Sequence, residues 1–116
     1  MRFVVLLYQD ETVWRDASPA EQAEYFTQHD AFSAAVPAGG GAILGGEALV
    51  GVASATRVRR RGEHVDVTEG PFAETTEQLG GFYLVEAPDL DAVTEWVRLL
   101  PEYTIEIRPV ADMTDA

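Results

Sequence analysis

Cysteine and lysine are both absent from the 116 residues. Without cysteine there can be no disulfide, no thiolate nucleophile and no cysteine-ligated zinc. Positive charge is scarce as well: eight basic residues, all arginine, stand against 20 acidic ones, for a formal net charge of -12. A field of that sign repels phosphate backbones and anionic lipid, so neither nucleic acid nor a membrane surface is expected as a partner. The only basic cluster is Arg57, Arg59, Arg60 and Arg61. It reads as a solvated hairpin tip, the alternative being a local seat for an anionic ligand or an acidic protein segment. Long hydrophobic runs are missing too. The apolar opening from Met1 to Tyr8 meets Asp10 and Glu11 too early for a signal peptide or a membrane span, so the cytoplasm is the expected address. Also lacking are a glycine-rich phosphate loop, a nucleophile elbow and a paired-histidine helix motif. With two histidines in the chain, His29, Glu69 and Glu47 could offer a metal one nitrogen and two carboxylates, a set too sparse to predict one. No metal or cofactor is expected.

What is present suits one compact domain. Hydrophobic residues make up 47% and charged residues 24%, near the globular average, and a chain of this length supports a single core. Phe3 to Tyr8 is a continuous apolar run with β-branched and aromatic members, the pattern of a central strand. Asp10 to Ala17 is polar, with room for one helical turn around Val13 and Trp14. Ser18-Pro19-Ala20-Glu21 then sets a hydroxyl at the N-cap, proline at the first helical position and glutamate three residues after the cap. In the helix that follows, Tyr25, His29, Phe32 and Val36 fall on one stripe, which should face a sheet. Pro37 and Gly39-Gly40-Gly41 should end it.

Further along, Ala42 to Val50 reads as a strand in which Gly45-Gly46 marks a bulge or a close backbone approach. Ala55 to Arg60 and His64 to Thr68 should pair as a hairpin across Gly62. Ala73 to Leu79 is polar, with at most one helical turn, and Gly80-Gly81 should close that stretch. Phe82 to Ala87 is a second central strand. Asp89 is placed to cap a helix whose stripe is Leu90, Val93, Val97 and Leu100, ending at Pro101. Thr104 to Val110 alternates, as a half-exposed last strand would. The tail from Ala111 should fray. This order predicts an α+β fold: a ferredoxin-like antiparallel sheet with both helices on one face and the hairpin as an insertion. The uncovered face then calls for a second copy, so a homodimer is expected.

Thr68-Glu69-Gly70-Pro71-Phe72-Ala73-Glu74-Thr75-Thr76-Glu77-Gln78-Leu79-Gly80-Gly81-Phe82-Tyr83-Leu84 resembles the signature of the YCII-related proteins, in the subgroup named for its Asp-Gly-Pro-Phe motif. The likeness extends to Leu7-Tyr8, Ser18-Pro19, Gly46-Glu47-Ala48-Leu49, Thr56-Arg57-Val58-Arg59 and Arg108-Pro109-Val110. It implies a dimeric α+β barrel of largely unassigned function. A histidine on the first helix and the aspartate that begins the motif have been regarded in the wider family as an active pair, and the matching positions here hold His29 and Glu69. Glutamate replaces the motif aspartate, and Thr76 stands where a lysine is usual. Relatives in this subgroup also resemble partners of extracytoplasmic-function sigma factors, which implies a regulatory or accessory role with a sigma-factor-type protein partner.

The candidate site follows from these residues. His29 titrates near neutral pH and lies on the inner helix face, where it is either a proton shuttle or a core histidine satisfied by a carbonyl or by Glu69. Glu69, before a Gly-Pro turn, either orients that imidazole or accepts from turn amides. Glu47, beside Gly45-Gly46, and Phe72 of the motif are the expected ligand contacts. The two functions expected are a small-molecule lyase, isomerase or hydrolase using the His29/Glu69 pair, and a non-catalytic binding module.

Overall fold

The computed structural model describes residues 1–72 and 76–113. Residues 73–75 of the motif, Glu74 among them, and residues 114–116 of the tail lie outside the described residues. The elements run β1 (Arg2–Asp10), α1 (Glu11–Arg15), α2 (Pro19–Ala38), β2 (Ala42–Ala48), a 3-10 turn (Val52–Ser54), β3 (Thr56–Arg61), β4 (His64–Glu69), β5 (Glu77–Glu86), α3 (Leu90–Val97) and β6 (Thr104–Pro109). Four strands form an antiparallel sheet in the order β2-β5-β1-β6, and β3 and β4 form a separate two-stranded sheet. That order is ferredoxin-like: each helix connects two strands that are parallel and separated by one antiparallel strand.

The side-chain period of two sorts the sheet residues into two faces. Phe3, Val5 and Leu7 of β1 are buried together with Val85, with Phe32 and Val36 of α2, and with Val93, Trp96 and Leu100 from α3 and the turn after it. Both helices therefore pack on one face, with the core between them and the sheet. On the other face the register aligns Glu47, Phe82, Leu6 and Glu106 in one cross-strand row and Gly45, Leu84, Val4 and Arg108 in the next. None of these side chains is buried, and among the described residues no element covers them.

The start of α2 is built as its sequence requires. The Ser18 hydroxyl accepts from the Glu21 amide at 3.1 Å, while the Glu21 carboxylate accepts from the Ser18 amide at 2.9 Å. Three boundaries differ from the expectation. The helix runs through Pro37 to Ala38 and is capped by Gly39, because a proline in the last turn removes one hydrogen bond without breaking the turns before it. β5 begins at Glu77, so Gly80 and Gly81 lie inside a strand; the nine residues of β1 template that extension. α3 ends at Val97, with Trp96 on its buried side and Leu90 exposed. The bulge falls one residue before the glycine pair, as the register slips between Ile43 and Gly45.

The β3–β4 hairpin turns at Gly62, whose φ is 60°. All twelve of its strand residues are exposed. At its base the ladder continues one step beyond the strands, where the Gly70 amide donates to the Ala55 carbonyl at 2.7 Å. Any side chain at Gly70 would collide with the Val52 carbonyl, so only glycine lets the hairpin base lie against the 3-10 turn. Among the described residues no helix is long and apolar enough to cross a membrane.

Candidate functional site

A cleft of about 580 Å³ opens between α2, the ends of β1, β2 and β5, and the segment around Leu49 and Gly51. This volume falls within the range of small-molecule pockets. Aromatic side chains dominate its walls: Trp14, Tyr25, Phe26, Tyr83 and Tyr103, with His29 among them.

The stripe on α2 places His29 over the sheet, and the parity of the strands supplies its partners. Tyr83 stands opposite Val5 and Gly46, in the row that faces the helices. Tyr103 precedes Ile105 and Ile107, which pack against the core. The Tyr83 hydroxyl lies 2.6 Å from His29 Nδ1 and the Tyr103 hydroxyl 2.9 Å from Nε2. Gly46 makes the first contact possible: a Cβ there would come within 2.7 Å of the Phe82 carbonyl and 2.9 Å of the Tyr83 ring. Next along the wall, Gln9 Nε2 donates to the Tyr25 hydroxyl at 2.7 Å, and the Tyr25 and Tyr103 rings meet edge to face at 6.0 Å. Glu11 Oε1 accepts from the Val52 amide at 2.6 Å and so pins the segment that borders the cleft.

Burial governs the electrostatics. It holds the His29 imidazole below its ordinary value, and the nearby Asp30 carboxylate opposes this only in part. Burial likewise raises Tyr83, against a hydrogen bond from Ser33, and pushes Tyr103 up to about 12. At neutral pH the ring is therefore free base and both hydroxyls keep their protons. A neutral imidazole donates at one nitrogen and accepts at the other, and a hydroxyl can do either, so every position in the triad is satisfied. If the ring gains a proton, both nitrogens donate and both hydroxyls accept without any ring having to move.

The expected His29/Glu69 pair is not formed. Both imidazole nitrogens are taken by tyrosines, while Glu69 is an exposed strand residue opposite Thr56 at the hairpin base. The cause is the separate hairpin sheet, which carries the end of β4 away from α2. Phe72 does not line the cleft either; its ring lies under the Arg57 guanidinium, 3.9 Å from the centroid. Glu47 does line the cleft, but it pairs with Phe82, one position out of step with the Gly46–Tyr83 row that meets His29. Among the described residues no three or more His, Asp or Glu side chains converge as a metal ion would need. Sequence reasoning placed Tyr83 in a central strand without a role at the site and passed over Tyr103 and Gln9. The signal that finds the tyrosines is parity, since Tyr83 is in step with Val85 and Tyr103 with Ile105.

Two comparisons bear on this arrangement. Residues 1–114 match the family model described as the YCII-related domain. An uncharacterized protein of Rhizobium meliloti (strain 1021) is similar at 34% identity, covering 96% of this chain and 93% of the relative.

Proposed function

The chain belongs to the YCII-related family, and from that premise and the geometry of the cleft we propose that it is a small-molecule enzyme of the lyase, isomerase or hydrolase kind. The observation that carries the reading is a half-buried imidazole held at both nitrogens by tyrosine hydroxyls in the wall of an aromatic cleft. Since both nitrogens are occupied, a ligand proton reaches the ring through a hydroxyl. Tyr83 or Tyr103 takes the proton from the ligand while giving its own to the nitrogen, and the tyrosine is unchanged at the end. His29 is the base that stores the proton, and the reverse transfer makes it the acid. The Glu69-Gly70-Pro71-Phe72 segment supports placing the chain in the subgroup named for Asp-Gly-Pro-Phe.

The test is turnover of a panel of enolisable carbonyl compounds and activated esters. His29→Ala should lower the rate on a turned-over compound by about 10²- to 10⁴-fold, and one of Tyr83→Phe and Tyr103→Phe should lower it comparably. Glu69→Gln should stay within about twofold of the parent, as expected of a surface substitution away from the site. A rate that survives His29→Ala would rule the reading out.

A homodimer is part of the same proposal. The open sheet face carries Val4, Leu6, Phe82 and Leu84 side by side, and a second copy packed on it would remove that apolar strip from water.

A further inference from the structure

The chain exposes far more surface than its mass calls for. A folded monomer of 12.7 kDa exposes about 6,200 Å² by the usual scaling, whereas this one exposes 8033 Å². Its radius of gyration is 16.4 Å, against about 13.4 Å for a compact domain of this length. The excess of about 1,800 Å² is roughly twice what one partner contributes to a standard interface and fits the larger interfaces of obligate homodimers.

Every strand residue of the β3–β4 hairpin is exposed, and its two faces differ. Val58 stands opposite Val67, Arg60 opposite Val65 and, at the base, Thr56 opposite Glu69 on one face, while Arg57, Arg59, Arg61, His64, Asp66 and Thr68 lie on the other. The three valines are 59%, 50% and 62% exposed at positions 58, 65 and 67. A lone two-stranded hairpin is marginal in water, and three valines aligned on one face serve no purpose unless something covers them. Charge says what that is. The hairpin holds four of the eight arginines and three of the 20 acids; the remainder of the chain holds four arginines and seventeen acids. The arm's four arginines against three acids leave it one net positive charge, and an apolar face that carries Arg60 complements the acidic body of another copy.

We propose that the β3–β4 hairpin is a clasp that lies, valine face down, on the acidic body of a second copy, and that each copy of the homodimer holds the other in this way. The receptor that matches it is the margin of the partner's open sheet face, outside the apolar strip of the central strands, where Glu47 on the edge strand β2 and Glu106 on the edge strand β6 offer carboxylates for Arg60 to meet. The clasp rests on the homodimer proposed above and goes beyond it: packing of sheet faces alone leaves the hairpin without a role.

Analytical ultracentrifugation over a dilution series tests it, on the full chain and on a Val58→Asp/Val67→Asp double variant. These side chains are exposed within the chain, so the body should fold as before, which far-UV circular dichroism and the melting temperature check. The expected result is a dimeric parent and a variant whose dissociation constant is raised at least about tenfold, with the hairpin amides exchanging faster in the variant. Arg60→Glu should weaken the dimer similarly, and pairing it with Glu47→Arg or Glu106→Arg should restore part of the loss. An equally tight variant dimer with unchanged hairpin exchange overturns the clasp and leaves the homodimer standing. A monomeric parent overturns both.

Discussion

At the scale of single residues, the partner of His29 decides how the protein responds to pH. A carboxylate paired with the ring would favour its charged form; here burial favours the neutral one, and the nearby Asp30 carboxylate opposes this only in part. The unfolded chain takes up a proton at this residue near the ordinary value of 6.5, the folded chain only at lower pH. Stability due to His29 is therefore complete above about pH 6.5 and is lost as pH falls through the depressed folded value. Urea midpoints measured between about pH 7.5 and pH 5.5 should fall more steeply in the parent than in His29→Asn, which lacks the titrating ring. If the two profiles run parallel, the imidazole is not depressed in the folded state. Removing one hydroxyl has a different signature. Tyr103→Phe strips Nε2 of its partner, and because the site is only half-buried, water can replace part of that bond. A loss of about 1 kcal/mol is expected, at the low end for an unsatisfied buried group, read from denaturation at constant pH.

The elements show how a local rule becomes a site. Ser18→Ala should cost about 1 kcal/mol of stability through the lost cap, and by fraying the first turns of α2 it loosens the helix that positions His29. Gly46→Ala acts from the opposite side. Its new methyl would press on the Phe82 carbonyl and the Tyr83 ring, and since one contact is rigid backbone, the ring must give way. A cost of about 1–3 kcal/mol is expected, together with a changed His29 ring signal in NMR as the 2.6 Å contact opens. If that signal is unmoved, Gly46 does not support the triad. The elements were largely legible beforehand because their signals are local: the apolar run of β1, the box before α2, the cap before α3 and the alternation of β6 each depend on a few neighbouring residues. The residues 77–81 carry no such signal. Polar and glycine-rich, they become strand only because β1 is long enough to pair with them, a tertiary effect that propensity does not contain. The site divides in the same way. Its histidine could be read from one helix stripe, but its tyrosines needed the register of three strands, and the expected glutamate was misplaced because no local feature reveals that the hairpin leaves the main sheet.

At the scale of the whole molecule, two opposed effects of charge meet in the proposed dimer, and salt separates them. Two copies that each carry a net charge of -12 repel, so screening should tighten their association, as the Debye length shrinks from about 30 Å at 0.01 M to about 3 Å at 1 M. Arg60, on the valine face of the hairpin, opposes that repulsion where the copies touch, which makes the parent less dependent on salt than its net charge alone would require. Neutralising it as Arg60→Gln raises the net negative charge and removes the local attraction, while the apolar contacts of Val58, Val65 and Val67 remain. The variant should therefore dimerise more weakly than the parent at about 0.02 M salt and approach it at about 1 M, where the exposed charges are screened. Dissociation constants from sedimentation at four or five salt concentrations would show two curves that converge. Parallel curves would mean that Arg60 faces solvent in the dimer as it does in the single chain, and that the hairpin is held, if at all, by its valines alone.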